Sequence, residues 1–488
     1  MREGRLGVDV IINNISGNPY CPHGPTILFE KFQASKQSRQ YFSCSACRDR
    51  KDCSFFFWAD QKISSTKMQD WKNIYNEARP NLCHREIYTE SDILFDLGES
   101  HLCYCKSCCR LFNKDVDSKL HKMCDIISGI SEQQLKYPST FLPPKDSSKC
   151  EAQYLFTSSS IEIILNMLKG LCASNILCVG APRIHEAITN NQDLSMNSLM
   201  LDIDERYCTF FPPEKFVSYN MFNHHFFDTD SKNVYKKFIS QENLVIVSDP
   251  PFGGRVELLH HNFLAIQTDW QKEHGINRTL PMLFIFPYFM EPQILSFMPG
   301  FTMLDYQVDY DNHPLYSSGT KGMKNGSAVR VFVNKPAELF PLPESDYNFC
   351  EPCNKWVNNT NKHCEKCKGC MSKDGRTYKH CDTCVRCVKP SWKHCQQCTQ
   401  CKPQDHKCGT INPGVNSCHR CGQSGHKRKD CQNKPKVLKN KRKFTVNEKN
   451  IEHKKKKIKS LPQSAEDEQR RNMKIFQQKI EIVSERVS

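Results

Sequence analysis

The stretch Asn243 to Arg255, NLVIVSDPPFGGR, carries the residues of this chain best suited to chemistry. Asp249 supplies one carboxylate. Pro250 and Pro251 stiffen the backbone and remove two amide donors, which leaves one or two carbonyls free to accept. Phe252 adds a flat aromatic face, and Gly253-Gly254 give the turn a soft exit. An exocyclic amino group on a nucleobase offers two N–H donors, and the Asp249 carboxylate and Pro250 carbonyl can accept one each. Accepting both draws electron density onto the nitrogen and aims it at an electrophile. Phe252 can stack on the base, whatever its identity. A base reaches such a pocket only when unpaired or flipped out of its helix. The plain alternative is an Asp-Pro-Pro turn with a core phenylalanine.

Such a turn needs a scaffold. Leu244 to Val247 is short, apolar and β-branched, which reads as a buried strand. The C-terminal end of a strand is where open α/β sheets bind ligands. Residues 137–150, with Pro138, Pro143 and Pro144, read as a linker, and ordinary globular sequence begins at Glu151. Ile161 to Leu171 has helical spacing. Asn175 to Val179 reads as a first strand, turning through Gly180-Ala181-Pro182-Arg183 into a helix from Arg183 to Asn190. Further strands are read at Leu199–Leu201, ending at Asp202, at Phe216–Tyr219, ending at Asn220-Met221-Phe222, and at Met282–Phe286. A hairpin of Thr302–Tyr310 with Ala328–Val333 completes seven strands. The expected fold class is α/β, with a Rossmann-like, seven-stranded, doubly wound core over residues 151–340. The loop Asn312 to Gly326 reads either as a flexible connector or as a lid over the pocket.

Asp249-Pro250-Pro251-Phe252 at a strand end resembles the DPPF signature of amino-methyltransferases that act on adenine N6 with S-adenosylmethionine. The resemblance implies a catalytic role for these four residues. Carried over by position from Rossmann-type methyltransferases, Gly180, Pro182 and Arg183 form the turn that passes the methionine part of the cofactor. Asp202 stands where a carboxylate accepts ribose hydroxyls. Asn220, Met221 and Phe222 stand where the cofactor's adenine would lie. Asp249 borders cofactor and substrate, and Tyr154, Leu155, Phe156 and Thr157 cover the methionine end. One departure is the first turn, VGAPR, which has a single glycine where the family often has a glycine-rich loop. An aspartate at a strand end is also commonly a cap.

Cysteine is the compositional outlier, at 29 of 488 residues. With no N-terminal signal peptide and no apolar run near 18 residues, the chain is expected to be intracellular and soluble, with no membrane partner. Thiols stay reduced there, so clustered CxxC and His-Cys pairs mean zinc rather than disulfides. After a flexible N-terminus at 1–20, residues 21–60 place Cys21, His23, Cys44 and Cys53 among aromatic strands. Four N/S ligands suit tetrahedral zinc, and Cys47 could replace Cys44. This order, with Arg39 ahead of Tyr41-Phe42, resembles the GRF zinc finger, a module that binds nucleic acid. A second small finger over 83–130 is assigned Cys105, Cys108, His121 and Cys124, while Cys83, His84, Cys103 and Cys109 compete for the ion.

From Cys350 the unit HC-x2-C-x2-C repeats at His363, His380 and His394. Letting each CxxC take the next repeat's His and last Cys gives four interleaved sites over 350–410. They are Cys350, Cys353, His363, Cys370; Cys364, Cys367, His380, Cys387; Cys381, Cys384, His394, Cys401; and Cys395, Cys398, His406, Cys408. The layout resembles the cysteine-rich domain of DHHC palmitoyltransferases. It lacks the catalytic Asp-His-His-Cys run, having Tyr378-Lys379-His380-Cys381, so acyl transfer is not implied. Cys418, Cys421, His426 and Cys431 have retroviral-type CCHC knuckle spacing, a form suited to single-stranded RNA. The tail at 434–488 opens with a basic run, Lys434 to Lys459, which is either a solvated tail or a nuclear address that also holds phosphates.

The net charge of +15 favours a polyanionic partner. The whole order closely resembles the CCHC-zinc-finger adenine methyltransferases of large-subunit (28S-type) ribosomal RNA. It implies S-adenosylmethionine and structural Zn2+ as cofactors, RNA as partner, and a nuclear and nucleolar location with the cytoplasm as a second compartment. Two other readings stay open: a non-catalytic zinc-finger RNA-binding protein, which the sparse first turn favours, and a GRF-type single-stranded DNA adaptor.

Overall fold

Five short apolar segments alternate with amphipathic helices, and they pair in parallel because each helical crossover returns the chain to the same edge. The computed structural model describes residues 7–12, 15–33, 36–47, 50–79, 82–144, 153–312, 327–406 and 408. Across the main sheet the strands run His225–Phe226, Phe216–Asn220, Asn197–Asp202, Asn175–Val179, Leu244–Ser248, Met282–Pro287, Val329–Val333 and Thr302–Gln307. The middle five are mutually parallel. The outer ones are antiparallel. Sequence order reverses between Asn175–Val179 and Leu244–Ser248, the topological switch point of such a sheet. Val179 lies opposite both Leu201 and Ser248, so Gly180, Asp202 and Asp249 emerge side by side at one edge. All five residues of Leu244–Ser248 are buried.

The sheet has eight strands where seven were expected. The eighth, His225–Phe226, is only two residues long and carries no period for a sequence reading to detect. It forms because His224 takes a left-handed φ of 51° and turns the chain back, setting Phe226 against Tyr219. The first core helix starts at Ser158, ahead of the apolar spacing that begins at Ile161. Thr157 caps it by accepting from the Ser160 amide at 3.2 Å. The helix after the DPPF turn, Val256–His274, ends on Gly275 at a φ of 61°.

The zinc-type modules are built into this core. Ile27, Phe29, Ala46, Phe55 and Phe57 of the first finger share one apolar cluster with Val179, Leu201, Val217 and Phe222 of the sheet side. Leu102, Tyr104 and Leu111 of the second finger pack with Met200, Tyr207, Phe210 and Phe216. The described part of the expected linker, 137–144, is not free chain. Pro138 and Ser139 are buried in a short helical turn, and Leu142 joins the second finger's cluster. The buried Glu186 carboxylate accepts from the Ser139 amide at 2.9 Å and its hydroxyl at 2.6 Å. A proline-rich composition reported the turn there and missed its burial. Among the described residues no helix is long and apolar enough to cross a membrane.

The cysteine-rich segment is fastened to the far edge of the sheet through two buried charges. Asp305 accepts from the Asn358 amide at 2.9 Å and from Asn361 Nδ2 at 2.7 Å. Arg330, fully buried, donates to the carbonyls of Ser327 at 2.7 Å, Val329 at 2.9 Å and Lys373 at 2.7 Å. Replacing it takes that donor from the Ser327 and Lys373 carbonyls, at about 1–3 kcal/mol for each unpaired group, while the Val329 carbonyl keeps the Val308 amide at 3.2 Å. Arg330→Met is therefore expected to lose about 3 kcal/mol or more in urea unfolding of the full chain. Arg39→Met, which removes the exposed pair with Asp60, is expected to leave the urea midpoint close to that of the wild type.

Candidate active site and zinc centres

At the switch point the strand ends enclose a cleft. Tyr154, Leu155, Gly180, Pro182, Asp202, Asn220, Met221, Phe222, Asp249, Pro250, Pro251 and Phe252 line it. Those residues come from five separate stretches of sequence. Phe156, Thr157 and Arg183, expected at the methionine end, stand outside the lining. Phe156 is buried and stacks on Tyr310 at 5.2 Å, and Thr157 is the helix cap. Arg183 donates to the Phe156 carbonyl at 2.6 Å and pairs with Asp311. These three hold the cleft's roof in place rather than facing its interior.

The roof is a long-range weld. Phe156 bridges Tyr310, the Asp311 amide donates to the Leu155 carbonyl at 2.8 Å, and Asn312 Oδ1 accepts from the Leu155 amide at 2.8 Å. It brings Tyr310 over the DPPF turn, where its hydroxyl donates to Asp249 Oδ1 at 3.1 Å. Asp249 is half-buried in the cleft wall, and desolvation of its carboxyl there pushes it well above the usual carboxylate range, while the Tyr310 hydrogen bond opposes that rise. Phe252 stacks on Tyr154 with ring centres 5.2 Å apart and meets Tyr310 edge-on.

Gly180 explains the sparse first turn. Its φ is +67°, and a Cβ there would lie 2.6 Å from Met221 Cε and 3.2 Å from the Asp249 carbonyl oxygen. One glycine suffices because close approach is required at one position only. Asp202 is buried at its strand end and accepts from the Asp204 amide at 2.9 Å, so it makes a local turn while facing the cleft. The cradle, the carboxylate beside it and the apolar Met221 and Phe222 fit the methionine, ribose and adenine parts of S-adenosylmethionine respectively.

Asn220 lines the cleft and also braces it. Its side-chain amide donates to the His23 carbonyl at 2.7 Å and to Ser45 Oγ at 3.0 Å, so its donors tie the first finger to the core. Asn223 reinforces the seam with bonds to the carbonyls of Pro25 at 2.8 Å and His23 at 3.3 Å. Across it, Ala46 of the finger enters the cleft wall. No sequence signal marks Ala46, which only tertiary packing brings there. Gln153, Ile203 and Asp204 also line the cleft and were detectable as direct neighbours of Tyr154 and Asp202. Tyr310 had no such signal.

The cysteine and histidine sets assemble as spaced. In the groups Cys21–His23–Cys44–Cys53, Cys105–Cys108–His121–Cys124, Cys350–Cys353–His363–Cys370, Cys364–Cys367–His380–Cys387 and Cys381–Cys384–His394–Cys401, the ligand atoms lie within 4.8 Å of one another. Cys395 Sγ is 3.5 Å from Cys408 Sγ, and His406 Nε2 is 3.3 Å from Cys408 and 3.6 Å from Cys398. Tetrahedral zinc spaces its N and S ligands about 3.5–3.8 Å apart, so the donor sets fit the ion. Cys47 Sγ stays 3.7 Å from His23 Nε2, beside the first set. Of the second finger's competitors, Cys103 turns to Ser128, Cys109 to the Lys106 carbonyl and His84 to the Phe211 carbonyl. The residue after each inner CxxC, namely Cys109, Asn354, Lys368, Val385 and Thr399, has a left-handed φ of 48–55°. A non-glycine residue there is strained, and metal binding offsets that strain. Cys418, Cys421, His426, Cys431, the basic tail and the 313–326 part of the loop lie outside the described residues.

A family model described as a probable N6-adenine methyltransferase matches residues 147–320, and a GRF zinc finger model matches 19–62. The chain is 43% identical over 446 residues to the Homo sapiens rRNA N(6)-adenosine-methyltransferase ZCCHC4, covering 88% of this chain and 86% of the human protein. The chain belongs to the ZCCHC4 family. The Xenopus tropicalis relative of the same name is 40% identical over 479 residues, covering 96% of this chain and 97% of its own length. The Mus musculus relative is 42% identical over 442 residues, covering 88% and 85% respectively. In this member the first zinc finger and the methyltransferase core meet at one seam, through Asn220, Asn223 and Ala46.

Gly180→Ala is expected to close the cradle against Met221 and the Asp249 carbonyl. Calorimetry should record S-adenosylmethionine binding weakened at least about tenfold. Circular dichroism should stay unchanged, because the clash is confined to the cleft.

Proposed function

We propose that this protein methylates N6 of an adenosine in ribosomal RNA, most fittingly of the large subunit, with the adenine flipped into the cleft at Asp249–Phe252. The observation that carries the reading is the Asp249 carboxylate, half-buried in the apolar cleft and held at the switch point by the Tyr310 hydroxyl. A carboxylate aimed into an apolar cleft is costly unless something polar meets it. An amino group does so.

S-adenosylmethionine supplies an electrophilic methyl on a sulfonium. This chain's residues do the rest. Asp249 and the Pro250 carbonyl accept the two N–H bonds of the adenine amino group and orient its nitrogen. Tyr310 occupies Asp249 Oδ1, which fixes the carboxylate's rotation. The same carboxylate can take the proton that the nitrogen sheds. Phe252 and Tyr154 are already in stacking contact, so the purine lies against this aromatic pair rather than between its rings. The apolar lining from Met221, Phe222, Pro251 and Phe252 keeps water from competing for the methyl.

The zinc clusters hold walls and an RNA-facing surface in place, without a part in bond making. In this reading the chain divides into the finger at 21–60, the second finger at 83–130, the methyltransferase domain at 151–340, the multi-zinc domain at 350–410, and a CCHC knuckle and basic tail beyond. The tail's lysine runs support a nuclear and nucleolar address.

Asp249→Ala should keep cofactor binding within a few-fold and lose methylation, scored by mass spectrometry of nucleosides from treated rRNA. An active alanine variant would refute the role. Tyr310→Phe removes the bond that holds the Asp249 carboxyl down. Its pKa should rise further, so the acid limb of the kcat/KM profile should move to higher pH, with activity recovering as pH rises.

A further inference from the structure

Five metal donors converge in the first finger, one more than tetrahedral zinc takes. Cys21, His23, Cys44 and Cys53 form the set whose ligand atoms lie within 4.8 Å of one another. Cys47 is the fifth. Its Sγ lies 3.7 Å from His23 Nε2, while His23 Nδ1 lies 3.4 Å from Cys44 Sγ and 4.0 Å from Cys21 Sγ. The imidazole therefore turns one nitrogen to the resident thiols and the other to Cys47. The outer nitrogen of a ligating histidine ordinarily faces a carboxylate, a carbonyl or water, and here it faces a thiol. Cys44 Sγ is in side-chain contact with Cys47 as well as with Cys21, Cys53 and His23, so the fifth thiol borders the shell itself.

Cys44 and Cys47 are also folded as a ligand pair. The Cys47 amide donates to Cys44 Sγ at 3.3 Å. In the second finger the Cys108 amide donates to Cys105 Sγ at the same 3.3 Å. The amides of Cys367 and Cys384 make the same bond to Cys364 and Cys381 in the cysteine-rich segment. In those three pairs the second cysteine belongs to the metal set. The bond curls the chain so that both sulfurs face one point. Of these four pairs, only Cys44–Cys47 has its second sulfur set aside, and an imidazole stands in its place.

Burial separates the five donors. Cys21, Cys44, Cys47 and Cys53 are buried, and His23 is half-buried. The histidine is the donor with room to leave. The finger stays docked without its ring, because the backbone there is held independently. The His23 carbonyl accepts from Asn220 at 2.7 Å and from Asn223 at 3.3 Å, and the Pro22 carbonyl accepts from Arg79 at 2.6 Å.

We propose that Cys47 is the reserve ligand of this zinc, taking the fourth position whenever the His23 ring swings out of it. The bond from zinc to His23 Nδ1 breaks, the bond from zinc to Cys47 Sγ forms, and the thiol proton goes to the freed imidazole nitrogen. Three thiolates and an imidazole become four thiolates, and the ion keeps four donors. The exchange happens one residue from the cleft wall. Ser45 and Ala46 lie between the two cysteines, Ser45 Oγ accepts from Asn220 at 3.0 Å, and Ala46 lines the cleft.

The test counts zinc ions in the full-length protein by native mass spectrometry. Wild type and Cys47→Ala should hold the same number. His23→Ala should hold that number too, because Cys47 fills the place. The double variant, His23→Ala with Cys47→Ala, should hold one ion fewer. A second readout identifies the donor. In cobalt-substituted protein, His23→Ala should gain sulfur-to-cobalt charge-transfer absorption over wild type, with its d–d bands moved to longer wavelength. The double variant should show neither change. An ion lost from His23→Ala would overturn the proposal, since the imidazole would then be irreplaceable. An ion kept by both His23→Ala and the double variant, with no gain in charge transfer, would overturn it too, since water would then fill the place. An ion lost from Cys47→Ala alone would put Cys47 in the resident set and end the reserve role. His23→Leu, which keeps side-chain bulk, and its double variant with Cys47→Ala repeat the count where alanine leaves the finger unable to fold.

Discussion

A carboxylate half-enclosed in an apolar cleft at a strand end needs a donor, and the hydrogen bond from Tyr310 to Asp249 supplies one. Much of the surrounding architecture is there to make that bond available. Tyr310 lies 61 residues downstream of Asp249 and reaches it through the antiparallel bridge with Phe156. The bridge is secured by Thr157, Arg183, Asp311 and Asn312, none of which faces the cleft. Residues that by position belong to a cofactor site thus serve as its struts. Their role is to keep the roof at a fixed height above the turn.

The zinc modules follow the same logic of bracing. A small finger has too little core to be rigid alone, and a metal ion supplies the missing folding energy. Here each described module also shares apolar surface with the central sheet. The first finger contributes Ala46 to the cleft wall, and Asn220 and Asn223 hold its His23 and Pro25 carbonyls. Metal binding and the cofactor pocket are therefore mechanically connected. A chain read as a string of separate modules is, over the described residues, one packed body with metal-braced flanks.

Local chemistry was readable from the sequence wherever a short pattern carried its own geometry. A CxxC pair presents two thiolates on one knuckle, and the periodic His-Cys units left few pairings that filled every shell. Buried parallel strands announce themselves as β-branched runs, so Asn175–Val179 and Leu244–Ser248 were placed within a residue. The DPPF turn could be read because two prolines restrict it before any tertiary contact forms. The two-residue edge strand and the burial of 137–144 could not be read, because neither has a period or a composition of its own.

What the sequence determined by itself is the inventory: a strand-terminal carboxylate with a rigid turn, thiol and imidazole sets at metal spacing, and a basic chain. These follow from interactions between residues close in the chain, where spacing sets distance. What only the tertiary structure decided is which of them meet. Tyr310 over Asp249, Ala46 in the cleft wall and Asn220 clasping a zinc finger join residues 61 to 197 positions apart or bring distant segments to one wall. Such contacts are selected by packing and by the need to pair buried polar groups, and neither condition exists until the sheet has formed.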